Sequence, residues 1–141
     1  MTAEFPLAVH ALVYLLHTQR VTSSAELADN ICTNPARVRK VLAKLCRAGL
    51  AEAHKGQGSG YLTKADAAHF SLRRVLKALE EEPIAMNWRS GDLDRDCLVS
   101  SGMAAVMDGV YENLNKSCME ELETVTIGSI TETIFKKEAQ E

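Results

Sequence analysis

The sequence is short of everything that would mark a membrane protein, a disulfide scaffold or a metal module. Aromatic residues make up 5% of its 141 positions, with one tryptophan, Trp88. No apolar run approaches the ~18 residues of a membrane span. The start, MTAEFPLAVHALVYLLHT, has neither a basic head nor a small-residue cleavage site, so it does not read as a signal peptide. The four cysteines, Cys32, Cys46, Cys97 and Cys118, form no C-x-x-C pair, and their spacings do not suit zinc. For Cys32, Cys46 and Cys118 the simplest reading is a reduced structural thiol in a cytoplasmic protein. No Ser/His/Asp or paired-carboxylate pattern has a supporting motif, which argues against an enzyme. What remains is ordinary in bulk: 46% hydrophobic, 25% charged, and long enough to bury a core without staples.

Acid is what the middle of the chain lacks. Residues 35–77 hold ten Lys or Arg against two acids, Glu52 and Asp66, although the whole chain carries −3. Residues 78–141 reverse the balance, with fourteen acids and five bases. A basic block inside an acidic chain is a footprint for an anionic partner, nucleic acid first among them. The blander alternative is a solvated helix face, but such a face normally intersperses acids.

The apolar spacing shows how that block is built. Phe5, Ala8, Leu12, Leu15 and Leu16 predict a first helix over 5–17. His10 and His17 share one of its faces about two turns, ~10 Å, apart, too far for one metal, and read as surface or interface residues. Ser23 followed by Glu26 reads as a capping box for a short helix over 23–31, with Leu27, Ala28 and Ile31 inward. CTNP breaks it. Asn34 suits an N-cap and Pro35 a first helical position, opening a second helix to about Ala48, ended by Gly49. Its buried stripe is Val38, Val41, Leu42 and Leu45. Ala36, Arg37, Arg39, Lys40, Ala43, Lys44 and Arg47 lie outside it. A short helix, a turn and a second, basic helix make a helix-turn-helix, whose second helix enters the major groove of DNA.

The glycines of AEAHKGQGSGYLT sharpen this reading. A Walker loop needs Lys-Ser/Thr after its last glycine and a helix behind it, and a dinucleotide fingerprint needs G-x-G-x-x-G opening a helix. Here Gly56, Gly58 and Gly60 lead into Tyr61-Leu62-Thr63, a strand. The glycines are expected to supply positive φ in a hairpin turn. A hairpin after a helix-turn-helix is a wing, placing His54, Lys55, Gln57 and Ser59 near phosphates or the minor groove. The alternative is a hairpin that only caps the core. Beyond it, Ser71 caps a helix with Leu72, Val75, Leu76 and Leu79 inward. A linker follows, broken by Pro83 and Gly91, and then a long helix over about 99–123. One stripe of that helix is Val99, Met103, Val106, Val110 and Leu114, widened by Met107, Tyr111, Cys118 and Leu122.

The run ELADNICTNPARVRKVLAKLCRAGLAEAHKGQGSGYLT, with FSLRRVLKALEE after it, resembles the Rrf-two family of bacterial winged-helix transcription regulators, of IscR, NsrR and CymR type. The family pattern appears in Leu27-Ala28, in Leu45 to Leu50, and in Gly58-Ser59-Gly60-Tyr61, where Ser59 replaces a common glycine. The run TSSAELADNICTNPARVRKVL is most similar to the YwnA-like branch, which lacks a cluster. The resemblance covers about residues 5–125. It implies that the long helix dimerises, with Val99, Met103, Val106, Met107, Val110 and Leu114 in the interface; an intramolecular core helix is the alternative. Iron–sulfur members of the family place three cysteines in the linker and the start of the long helix. Only Cys97 stands there, so no cofactor and no metal are expected.

These readings predict a mainly α fold with a small β-hairpin wing: a winged helix-turn-helix domain plus a long dimerisation helix. The expected divisions are a DNA-binding domain over 1–82, a linker over 83–97, the dimerisation helix over 98–125, and a short helix and solvated tail over 126–141. The expected function is a cytoplasmic, homodimeric transcription regulator, a repressor on an inverted repeat of double-stranded DNA, with no membrane contact. A winged-helix module for protein–protein contact is the alternative, but its recognition helix should then expose apolar anchors rather than Arg and Lys. Arg37, Arg39 and Lys40 are candidates for base contact, and Lys44, Arg47, Lys55, Ser23 and Ser24 for backbone contact, with Asn34 in the turn. Cys97, at the start of the long helix, is either a sensor of an oxidant or electrophile or a packing residue. The amides of the helix N-terminus and Arg95 favour its thiolate, whereas Asp92, Asp94 and Asp96 oppose it. A small-molecule effector is the other possibility.

Overall fold

The computed structural model describes residues 1–140. Along the chain come α1 (Glu4–Thr18), α2 (Ser24–Ile31), α3 (Pro35–Arg47), β1 (Ala51–His54), β2 (Gly60–Thr63), α4 (Leu72–Ala78), α5 (Leu98–Thr124) and α6 (Ile127–Glu138), with a single 3-10 turn, Ala67–His69, before α4. The fold is mainly helical with one antiparallel hairpin, a winged helix-turn-helix with a long helix appended. No helix among the described residues is long and apolar enough to cross a membrane.

The core forms where the spacing places it. Val38, Val41, Leu42 and Leu45 of α3 are at most 1% exposed and meet Leu12 and Leu15 of α1, Leu27 of α2 and Val75 and Leu76 of α4 in one cluster. Each such burial contributes about 1.5–3 kcal/mol, far more than the propensity of helices this short. Ile31, expected inside, is only half-buried at the end of α2.

Three side chains start three helices. Ser23 Oγ accepts from the Glu26 amide at 3.1 Å, Asn34 Oδ1 from the Arg37 amide at 2.9 Å, and Ser71 Oγ from the Arg74 amide at 3.2 Å. Each contributes about 1 kcal/mol. The capping box expected at Ser23 is only half made. The Glu26 carboxylate turns instead to Arg20, whose Nη2 donates to both oxygens at 2.8 and 3.1 Å, and to the Tyr14 hydroxyl at 3.0 Å. A charge-assisted pair outcompetes a neutral amide. Among the described residues, a complete capping box forms at α6, between Thr126 and Ser129.

The hairpin pairs Ala51 with Thr63, Glu52 with Leu62, Ala53 with Tyr61 and His54 with Gly60. It is tied to the helices by a third segment: Thr22, between α1 and α2, exchanges backbone hydrogen bonds with Tyr61 at 2.8 and 2.9 Å. This contact corrects the reading of the glycines. Gly56 and Gly58 do take positive φ, 91° and 75°. Gly60 does not; it lies in β2, where a Cβ would stand 2.4 Å from the Thr22 carbonyl oxygen. Gly60 is small so that the wing can lie against the strand-like Thr22.

Residues 83–97 do not hang free. Asn115 of α5 clasps Ile84 by both backbone groups, at 2.8 and 3.0 Å. Arg89 pairs with Asp108, and the Asp92 amide donates to the Ser100 carbonyl at 3.0 Å. The segment therefore runs back along α5, fastened at three levels. In the last stretch, α6 is twelve residues long and lies on α1, with Ile127 fully buried.

Candidate nucleic-acid interface

At about 100° per residue, α3 sorts its outer residues into three strips. Ala36, Lys40, Ala43 and Arg47 point directly away from the buried stripe. Arg39 lies on one flank, where its Nη1 donates to Ser24 Oγ of α2 at 3.3 Å. Arg37 and Lys44 lie on the other flank, beside the start of α1. Ala36, Arg37, Arg39, Lys40 and Arg47 are all exposed. Arg39 and Ser24 thus join the basic helix to the start of α2, with exposed Ser23 next to them. Asn34 holds the Arg37 amide, so its oxygen serves the helix start.

Lys44 departs from this face. Its Nζ donates to Glu4 Oε2 at 2.6 Å, and its side chain is only 25% exposed. Lys40 reaches the other oxygen of Glu4 at 3.1 Å but stays 69% exposed. The Lys44 hydrogen bond, with help from Lys40, holds the Glu4 carboxyl below its ordinary value against the opposing effect of burial. Lys44 therefore fastens α3 to α1 rather than facing outward. Sequence reasoning missed Glu4, because nothing local marks a partner forty positions away.

His54, Lys55, Gln57 and Ser59 of the wing are exposed. One acid stands among them. Glu52 pairs with Lys64 at 2.6 Å and lies 3.9 Å from His54 Nε2. Lys64, and more weakly His54, keep the Glu52 carboxyl below its usual value. The wing tip itself, Lys55 to Ser59, carries a lysine and no acid.

The long helix has two unlike faces. Ala104, Tyr111, Asn115, Cys118, Met119 and Leu122 share the side turned to the chain, and Ala104 is its one buried residue. On the adjoining side Val99 and Val106 are 67% and 65% exposed, and Met103, Val110 and Leu114 are exposed as well. Met107 sits half-buried on the border. None of the described residues covers this stripe.

Cys97 is the N-cap residue of α5 and is exposed. Its sulfur makes no full capping hydrogen bond, yet the nearby amides of Ser100 and then Val99 draw the thiol below its ordinary value. Cys46, half-buried in α3, is pushed the other way by burial. Cys32 ends α2 at φ 63°, and Cys118 lies on the inner face of α5.

The chain is similar to known regulators throughout. The family model for Rrf2, described as iron-dependent transcriptional regulator, matches residues 1–133. An HTH-type transcriptional regulator of Neisseria meningitidis serogroup A is 33% identical over 95 residues, 67% of this chain and 61% of that relative, so the match spans less than two thirds of its length. The HTH-type regulator YwnA of Bacillus subtilis is 26% identical over 137 residues, 96% of this chain and 99% of YwnA. A transcriptional regulator from Lactobacillus plantarum has the same fold, with a TM-score of 0.83 at 19% identity, covering 99% of this chain and 98% of that one.

The iron in the family's description can be tested against the donor set. An iron–sulfur centre needs several thiolates in one place. Cys32, Cys46, Cys97 and Cys118 are spread over the end of α2, α3, the start of α5 and its far half. Among the described residues, no three His, Cys, Asp or Glu side chains stand close enough to hold a metal ion. The residues of this chain do not fit such a centre. With element order, capped turn, basic helix, wing and a family match over residues 1–133 all in agreement, the chain belongs to the Rrf2 family of transcriptional regulators.

Proposed function

We propose that the chain is a sequence-specific DNA-binding transcription regulator of the cytoplasm, a repressor that acts as a homodimer on an inverted repeat. The observation that carries this reading is the basic outer face of α3, continuous with the start of α2 and accompanied by a wing whose tip holds no acid. Arg39 and Lys40 lead into the major groove, with Arg37 at its edge, and Arg can read guanine through two parallel hydrogen bonds. Ser23, Ser24, Arg47, Lys55, Gln57 and Ser59 set the register on phosphates. The exposed stripe of α5 joins two copies, so residues 98–125 set the spacing of two units formed by residues 1–82.

If each protomer neutralises three to five phosphates, log K should fall with log salt at a slope of about −5 to −9. The check is fluorescence anisotropy on genomic DNA fragments at rising salt. A salt-independent association would remove the DNA reading and leave a protein partner for α3.

In this reading Cys97 is the sensing residue. Peroxide would take the thiolate to sulfenic acid with release of hydroxide, adding an oxygen at the junction of the strapped segment and α5. DNA binding should then fall after peroxide treatment in the wild type and not in Cys97→Ser. Equal behaviour of the two proteins would make Cys97 a packing residue and point to a non-thiol effector.

A further inference from the structure

The end of α5 meets the start of α4, and the two stretches are joined backbone to backbone. The Leu72 amide donates to the Val125 carbonyl at 2.8 Å, and the Ile127 amide to the Phe70 carbonyl at 2.9 Å. Between these bonds Ser71 and Thr126 form an isolated antiparallel bridge. Phe70 and Ile127 beside it are both buried. A slip of one residue would turn Ile127 out of the core, so the register is fixed.

Two further contacts reinforce the bridge. Ser71 Oγ accepts from the Arg74 amide at 3.2 Å and donates to Glu123 Oε2 at 3.1 Å. One hydroxyl thus starts α4 and holds the last turn of α5. The other contact is at Gly128, in the first turn of α6. A Cβ there would stand 2.7 Å from the Ala68 carbonyl oxygen and 3.1 Å from Ala68 Cβ. Its φ is not positive, so no turn asks for glycine. Glycine is otherwise unfavourable inside a helix. What its missing side chain permits is the close approach of α6 to the 3-10 turn.

The other ties of α5 are softer. Asn115 holds Ile84, and Arg89 meets Asp108 through side chains that are both more than half exposed. These fasten residues 83–97 to α5 and do not reach α4. The stiff path from α3 runs through Val75 and Leu76 of α4, in one core cluster with the α3 stripe, and then through the bridge. Its lever is long. Val106 lies about 28 Å along α5 from Val125, so a tilt of about 7° at the junction displaces it by about 3.4 Å, the rise of one base pair. In a helix-turn-helix dimer such a displacement changes the half-site separation that both recognition helices can reach.

We propose that Gly128 and the Ser71–Glu123 pair are positioning residues for DNA recognition: by locking the end of α5 to the start of α4, they set the half-site separation that the dimer accepts, without touching DNA. This rests on the homodimeric DNA-binding reading above.

The test first selects sites from random DNA with the wild-type full chain, which should return inverted repeats of one preferred separation. Affinity is then measured on that repeat and on repeats one base pair longer and shorter. The wild type should prefer its own separation about tenfold or more. Gly128→Ala should cut that preference to about threefold or less, or move it to a neighbouring separation. Glu123→Ala should act in the same direction. Glu123→Gln, whose amide oxygen still accepts from Ser71, should restore the preference. Base preference within each half-site should stay as in the wild type, because no residue of α3 or the wing changes.

Melting and light scattering accompany each variant. If Gly128→Ala does not fold, Glu123→Ala and Glu123→Gln decide. An unchanged preference for separation in every folded variant overturns the proposal. So does a weakening equal at all three separations, which would make the junction a matter of stability alone. A wild-type chain that is monomeric, or that selects no repeat, removes the homodimeric reading and the proposal with it. A dimer whose preference no junction variant moves leaves that reading standing and removes the proposal alone.

Discussion

α3 and α5 are both amphipathic helices that bury one face in the same chain, yet they leave opposite chemistry outside. α3 buries Val38, Val41, Leu42 and Leu45 completely and presents Arg39, Lys40 and Arg47. α5 turns Ala104 and its neighbours inward and presents Val99, Met103, Val106, Val110 and Leu114. A charged outer face is at ease in water, and its one-sided charge calls for an anion. An apolar outer face is not at ease there and calls for another apolar face. In the proposed reading, the difference between them separates a surface for DNA from a surface for a second copy.

The largest effect should come from attacking the apolar side of this comparison. Val106→Glu places a carboxylate in the centre of the α5 stripe. If two copies meet there, burying that charge costs several kcal/mol and the protein becomes a monomer in light scattering. Because Val106 is exposed within one chain, an unchanged oligomeric state would move the interface elsewhere.

On the charged side the effect is smaller and more selective. Arg39→Ala should cost about 1–3 kcal/mol of DNA affinity and relax sequence choice, whereas Lys55→Ala should weaken all sequences alike. Affinity measured on an operator and on scrambled DNA decides this. If Lys55→Ala altered the sequence preference and Arg39→Ala did not, helix and wing would exchange roles. Neither variant should change the oligomer.

The smallest effect lies where the charged face is anchored. Glu4 titrates below its ordinary value of 4.5 in the folded chain because Lys44 and Lys40 stabilise its carboxylate. Its pairing therefore contributes fully above pH 4.5 and is lost as the pH falls through the lowered value. Glu4→Gln should cost about 1 kcal/mol or less near neutrality. Below pH 4.5 the two proteins should converge in chemical denaturation. A gap that widened toward acid would contradict the pairing.

How much of this was legible in the sequence follows from the range of each interaction. The α3 stripe, the three caps at Ser23, Asn34 and Ser71, and the presence of a hairpin after α3 need only spacing and local residue chemistry, so they read directly. The apolar stripe of α5 read equally well, since a period near 3.6 marks a face whether or not anything covers it. Glu26 was half read: its position suggested a capping box, but the guanidinium of Arg20 six residues earlier decides where its charge goes.

By itself, then, the sequence determined which helices form, where they start, which faces are apolar and where positive charge gathers, because those depend on neighbours within about two turns. Only the tertiary structure decided that Thr22 joins the hairpin and makes Gly60 necessary, that Glu4 takes Lys44 out of the basic face, and that Asn115 and Asp108 hold the segment before α5 against it. It alone decided that α6 lies on α1. Each of these contacts joins side chains or backbone groups that are distant along the chain, and no local pattern records such a meeting, since it exists only once the core has brought the helices together.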